Sequence, residues 1–451
     1  MNVPPKSGQP ELNSSDAIYG RNFWLAYAAN VLLVCANSLT FRFAEYVAAR
    51  GGTEELAGAI VQAGLFAAIV FRLGLGAAID HYGPRRIWLL AGGVYMVGCL
   101  SFLIPEKLTL LVWAARVCYQ TGLAGMFSCS IVHIQNQVPA SRRTEVIGSL
   151  GSSGFVGTIL GTQVSDLMFT WLPVGQPRFI ATFGGAAGLA FLHGLIVVVL
   201  TQRDRHVRPE VTPGPIRLLM RYWPGSILVV AVAQGTGFVV TTVFLTRYAT
   251  AMQFSGITWF FLPYSVMAFS CRWIFRDWGT SFGRHRMVLW GLAGMTVGQL
   301  LFLLVSRDWL LVLPALVCGF GHALLFPAIV SIGAGKFPIQ YRGSGTTLVL
   351  GFTELGTALA APLLGLLIDL GNAGGGTRGF SWMFLAASGF AFSGLIFYIL
   401  TAARHPDHDP HVSPAQSLPP DVVEAESDIG DMIAVSADVP AQVPEKLNPA
   451  R

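Results

Sequence analysis

Residues 74–86 read GLGAAIDHYGPRR, a short polar interruption between two apolar runs at 57–79 and 87–104. Asp80, His81, Arg85 and Arg86 fall in the seven residues that part those runs. Each run lies near or above the ~17–25 residues a helix needs to cross the hydrocarbon core of a bilayer. The stretch therefore reads as a tight loop where the chain leaves a membrane and at once returns.

Working outward, further runs of this kind stand at 22–46, 108–137, 145–169 and 179–201, and six more at 224–249, 256–276, 286–305, 308–336, 343–370 and 379–403. Backbone amides in lipid must be satisfied within the segment, so runs this long are helices and not the ~9–11-residue strands of a barrel. Twelve transmembrane helices are predicted. Hydrophobic residues make up 53% of the 451, charged residues 12%, and the mean hydropathy is +0.58, far from the roughly 25% charge of a soluble domain. The 21 residues before the first run carry Lys6, Glu11, Asp16 and Arg21 and lack the compact basic start of a signal peptide, so the first run is expected to stay as a helix. The six cysteines all lie in apolar runs without a CxxC pair, which predicts packing residues and neither disulfides nor a metal site. No cofactor is expected.

With both termini placed in the cytoplasm, seventeen Lys and Arg residues fall in inner segments and six in outer ones, as the positive-inside rule asks. The net charge of +5 is thereby explained by topology and gives no reason to expect nucleic acid. An inner or plasma membrane location follows, and a monomer is expected. The longest inner loop, TQRDRHVRPEVTPGPIRLLMRYWPG (201–225), comes after the sixth helix. It divides the chain into a segment 1–21, a six-helix bundle 22–201, a central loop 202–223, a second bundle 224–403 and a tail 404–451. The halves repeat weakly at an offset of 200: Arg72 and Arg272, Gly83 and Gly283, Arg86 and Arg286, Arg142 and Arg342, Gly151 and Gly351. VGCLSFL (97–103) returns as VGQLLFL (297–303), with five identities in seven. A parallel internal repeat is inferred.

After Arg404 the composition turns polar: residues 405–451 hold nine acids and eight prolines and no aromatic residue, the signature of a disordered tail. His405, His408 and His411 with Asp407 and Asp409 could bind a divalent metal weakly, but a solvated tail with no scaffold is the preferred reading.

Gly76, Asp80, Gly83, Arg85 and Arg86 together resemble the loop signature between the second and third helices of the major facilitator superfamily. His81 stands where that family usually carries Arg or Lys. The second copy, RDWGTSFGRHR (276–286), keeps Gly283, Arg284 and Arg286 and has Thr280 in place of the acid. RVCYQTGLAG (116–125), GFGHALLFPAI (319–329), YRGSGT (341–346) and FTEL (352–355) extend the likeness, which is closest to sugar-efflux and drug-efflux-like permeases; the Gly-Pro pair of drug antiporters is absent from 151–161. The resemblance covers residues 20–403. It implies an all-α fold of two pseudo-symmetric six-helix bundles, no enzymatic activity and secondary transport of a small organic solute by alternating access with proton coupling. The loop is implied to be a gate between the bundles. A carboxylate at Asp80 could accept hydrogen bonds from a neighbouring helix start or pair with Arg85.

Ionisable residues deep in apolar helices are costly and mark function by default. Arg42, Glu45, Arg116, His322 and Glu354 qualify. Arg42 and Glu45, three apart, could pair or form an outer gate. Arg72 and Arg272 lie about two turns from the inner surface and are expected to snorkel as anchors. If the first, fourth, seventh and tenth helices line the path, as the resemblance implies, Asn37, Arg116, Gln120, Gln234 and His322 surround the solute, and the planar donor Arg116 suits a carboxylate, phosphate or polyhydroxylated ligand. Glu354 is the expected proton-coupling residue, with a salt-bridged structural acid as its rival. GxSxG, P-loop and HExxH motifs are absent. A transporter-like sensor signalling through the tail and, further off, a polytopic membrane enzyme are the alternatives.

Overall fold

The computed structural model describes residues 18–402 other than 205, 207, 255, 374 and 375, with 54 and 55 described by their backbone alone. The tail, with His405, His408 and His411, lies outside the described residues. Twelve long helices account for most of what is described. The first half comprises α1 (Arg21–Ala48), α2 (Glu54–Tyr82), α3 (Pro84–Ser101), α4 (Leu110–Gln135), α5 (Arg143–Trp171) and α6 (Gln176–Leu200). The second comprises α7 (Ile227–Ala251), α8 (Thr258–Ile274), α9 (Gly279–Leu304), α10 (Asp308–Gly335), α11 (Arg342–Asn372) and α12 (Arg378–Thr401). Between them the linker carries one short helix, Pro215–Arg221.

Nine of these helices are long and apolar enough to cross a membrane on their own among the described residues. The other three are α3, α5 and α8. Helix α3 opens on Arg85 and Arg86, α8 has 17 residues, and α5 trades apolar residues for a buried polar face that includes Ser149, Ser152 and Ser153. A helix that meets protein on several sides does not need to be apolar all round.

Local chemistry marks the turns. Thr53 caps α2 by accepting a hydrogen bond from the Leu56 amide, and Gly83 ends the helix at φ +86°, a conformation side chains avoid. Pro84 then opens α3, where its missing amide costs nothing. Gly283, its repeat mate, has φ +97° at the start of the regular part of α9, so the repeat extends to backbone conformation. Inside the first half, Gly157 and Gly161 let the backbone of α1 lie directly on α5, the small-residue contact typical of membrane helices.

Outward faces are apolar and uncovered. Phe66, Val70 and Leu73 of α2, Leu363, Leu366 and Leu370 of α11, and Leu385, Phe392 and Leu400 of α12 are all exposed. Such a surface has hydrocarbon as its solvent. The halves meet chiefly where α2 packs on α11 and where α5 packs on α8 and α10. A four-residue apolar cluster of Ile131, Ile147, Val330 and Leu350 joins them. The end of the molecule that carries the linker and the α2–α3 and α8–α9 turns is called the linker end below, and the opposite end the far end.

Candidate functional site

The turn at 74–86 lies on the start of α11. The Asp80 carboxylate, 4% exposed, accepts hydrogen bonds from the amides of Gly343 (2.7 Å) and Ser344 (2.9 Å) and from the Ser344 hydroxyl (2.5 Å). Free amides and the positive end of the helix dipole make this first turn a natural seat for a carboxylate. Of the two partners the sequence left open, the neighbouring helix start is the one occupied. Arg85 instead donates to the Thr201 carbonyl at 3.3 Å. Arg86 lines, with Arg85, a wide basin at the linker end. Gly76 lies against Ser344 and Thr347, where a Cβ would overlap both, and Gly343 has no room for one beside the Asp80 carboxylate. Asp80 and Gly76 thus join α2 of one half to α11 of the other.

The repeat supplies a weaker counterpart. Gly279 lies against Thr144 at the start of α5, and the Thr144 hydroxyl has no partner, because Thr280 stands where Asp80 would be. Glu145 is bound from its own half by Arg142 (2.8 Å) and Tyr19 (2.7 Å). At the linker end the halves meet on one side through a carboxylate and on the other through packing.

Deeper in, Arg72 and Glu354 form a two-pronged ion pair across the halves. Arg72 Nη2 donates to Oε1 at 2.6 Å and Nε to Oε2 at 2.7 Å, while Nη1 donates to Ser128 of α4 at 2.7 Å. The Arg72 side chain is 5% exposed and that of Glu354 29%. The expectation that Arg72 and Arg272 snorkel as surface anchors is therefore corrected. Both are buried at 5%, since α2 and α8 turn these side chains toward the other half and not along the lipid face. The Arg272 guanidinium carbon lies over the rings of Phe155 and Phe326, 4.9 and 5.5 Å from their centroids.

The five predicted solute contacts separate into two groups. Gln234 and His322 line one cleft with Tyr264, Gln299 and Thr241, which holds about 20 Å³, room for a water. There His322 Nδ1 is hydrogen-bonded to the Tyr264 hydroxyl, and both polar atoms of Gln234 and the Gln299 oxygen are buried without partners. Asn37, Arg116 and Gln120 belong to the first half. Asn37 accepts from the Tyr119 hydroxyl at 2.6 Å, and Gln120 lies beside Gly64 of α2. Arg116 stacks on Phe43 (5.0 Å) and Tyr119 (4.8 Å), with Tyr95 and Cys99 of α3 as its electrostatic neighbours, inside the bundle. Arg42 bridges Glu45 (2.5 Å) and Asp166 (2.6 Å), tying α1 to α5 within one half.

A family model of the Major Facilitator Superfamily matches residues 23–279 and 257–430. The chain belongs to the major facilitator superfamily. Among curated relatives, the MFS-type transporter YhhS of Escherichia coli K12, itself uncharacterized, is 22% identical over 369 residues, covering 79% of this chain and 86% of the relative. Solved structures with the same fold include the proton:xylose symporter XylE, with TM-score 0.67 and 14% identity over 84% of this chain and 94% of that one. The human organic anion transporter MFSD10 matches at TM-score 0.68 and 14% identity over 84% of this chain and 99% of that one.

This member of the superfamily is accordingly an integral multi-pass membrane transporter and not an enzyme, with two bundles of six transmembrane helices. Its cross-half contacts described here run from the linker end as far as Arg72–Glu354 and the rings of Phe155, Tyr264 and His322. Beyond that depth the apolar clusters are each confined to one half: Phe43, Tyr46, Phe102 and Phe179 on one side, Tyr248, Phe302, Phe380 and Phe384 on the other. Sequence reasoning missed Ser128, Asp166, Tyr264 and Gln299, and named Arg72 and Arg272 only as anchors. Arg72 had a signal: it lies eight residues before Asp80, about 12 Å along a helix, as deep as the argument that singled out Arg116.

Proposed function

We propose that the protein carries a small organic solute by alternating access, with both termini and the linker end in the cytoplasm, and that the arrangement described is the state open to the outside. The Arg72–Glu354 pair is the single observation that carries the reading. It joins α2 to α11 at the depth where the contacts between the halves that begin at the linker end cease, and the Glu354 side chain is 29% exposed. A proton reaching Glu354 removes the ionic attraction to Arg72 and leaves one of its two oxygens as an O–H facing an Arg72 donor. The halves are released from each other at mid-depth, and the Asp80 latch becomes the remaining restraint at the linker end. That sequence couples a proton to reorientation. The proton-coupled symporter XylE among the structural neighbours is consistent with it.

Gln234, Gln299, Tyr264 and His322 are proposed as polar contacts for the solute, since buried amide atoms without partners are costly until a ligand or water fills them. Arg116, Asn37 and Gln120 are assigned to holding the first bundle together. The loop residues Gly76, Asp80, Gly83, Arg85 and Arg86 form the gate.

Reconstituted protein tests the reading. With Glu354→Gln, exchange of labelled for unlabelled solute should continue while accumulation driven by a pH difference is lost, because exchange needs only a loaded carrier that reorients. Accumulation that persists in the variant would remove Glu354 from coupling.

A further inference from the structure

The two halves are built on one plan, and at one point the plan is incomplete. Arg72 packs near Gly351 of α11 and is neutralised one turn further on by Glu354, with Ser128 as its third partner. At the offset of 200, Arg272 packs against Gly151 of α5, yet the positions that would supply its carboxylate and hydroxyl are Gly154 and Ala328. Neither can bind a cation through a side chain. Among the described residues Arg272 makes no hydrogen bond and no ion pair, and its Nε is buried and unpartnered. The groups acting on its charge are the phenols of Tyr264 and Tyr27, with His322 nearby, and no carboxylate.

A guanidinium so placed is expensive. Two aromatic rings recover only part of the hydration that burying an uncompensated cation removes. Space remains for what is missing. A Cβ built on Gly154 meets nothing within 4 Å, so the site that Glu354 fills in one half is open in the other. The guanidinium carbon lies over two rings, neither of which supplies a hydrogen-bond acceptor in its plane, so the donors suit a planar two-pronged partner.

We infer that Arg272 seats the carboxylate of the solute, which occupies the open space beside Gly154 and completes in the second half the ion pair that Arg72 and Glu354 make in the first. The inference rests on the transport reading and narrows it to organic anions. Solute binding then neutralises the second of two symmetry-related arginines, and a loaded carrier has both balanced.

The test uses the purified full-length chain, with acetate, lactate, benzoate and succinate as probes and the corresponding neutral amides as controls. At least one acid should raise the melting temperature of the wild type while its amide does not. Arg272→Gln should weaken that acid roughly 10- to 100-fold, the effect of losing a charged hydrogen-bonding partner. Gly154→Glu puts a carboxylate where the solute's would be; it should melt higher than the wild type without ligand and no longer respond to the acid. An amide as effective as its acid, an undiminished response in Arg272→Gln or Gly154→Glu, or no response to any acid overturns the inference. Cysteines at Val61 and Ile147, read for exposure on the two sides of the bilayer, judge the carrier reading separately. If they still exchange exposure while the acids fail, the carrier stands and the anion does not.

Discussion

Asp80→Asn isolates the latch with almost no change of shape. In the wild type the two carboxylate oxygens accept three hydrogen bonds at the start of α11, all buried. The amide keeps one oxygen for Gly343 but turns an NH₂ group toward the Ser344 amide, donor against donor, and removes the charge that the helix dipole favours. A hydrogen bond to a charged group contributes about 1.5–3 kcal/mol, and a carboxylate at a helix start about 0.3–2 kcal/mol. A loss of about 3 kcal/mol, confined to the state closed at the linker end, shifts the balance of states about 100-fold toward linker-end opening. The assay is labelling by a membrane-impermeant maleimide in a background without the six native cysteines. Val61 lies eleven residues toward the far end from Arg72 on the same face of α2, and Ile147, 1% exposed, sits in the cross-half cluster. In Asp80→Asn, outside labelling of Val61→Cys should fall and linker-side labelling of Ile147→Cys should rise. Unchanged labelling at both positions, in a protein that inserts and folds, would refute the latch.

Three further outcomes follow from the same contacts. Gly76→Val adds a side chain where even a Cβ overlaps Ser344 and Thr347, so it should mimic Asp80→Asn in the labelling assay without touching a charge. Arg116→Met, which removes a guanidinium stacked on Phe43 and Tyr119, should leave solute affinity unchanged in a binding assay; a tenfold loss of affinity would return Arg116 to the ligand set. Ser128→Ala removes one donor-acceptor contact of Arg72 but not its ion pair, and is expected to slow gradient-driven transport less than Glu354→Gln does in the same vesicles.

What could be read from the sequence was local. Apolar runs reveal helices because each bilayer crossing must satisfy its own backbone, and Gly83 with Pro84 announces the turn because φ +86° and a helix start suit those residues. Partners across the halves were beyond such reasoning. Arg72 and Glu354 are 282 residues apart, and Asp80 meets Ser344 at a separation of 264. Depth along a helix was legible for Arg72 and Arg272, but the face was not, and face separates a snorkelling anchor from a buried cation. The repeat at an offset of 200 held more than was taken from it. It paired Arg72 with Arg272 and Gly151 with Gly351, and the same register aligns Glu354 with Gly154. Arg116 was given a path-facing role on its depth and on the family likeness of the fourth helix, and the structure adds what neither carried: Gly64 admits its side chain between α2 and α4 to the rings of Phe43 and Tyr119.

Reciprocal motion of the two ends, driven by a proton at Glu354, is the central claim, and pulsed spin-label distances measure it directly. One pair of labels at Val174 and Gln253 spans the exposed far-end loops, and a second at Asn136 and Ile339 spans the linker end. On acidification the far-end distance should shorten as the linker-end distance lengthens, and in Glu354→Gln both should hold one value across the same pH range. Distances that do not move with pH in the wild type, or ends that open and close together, would contradict the account.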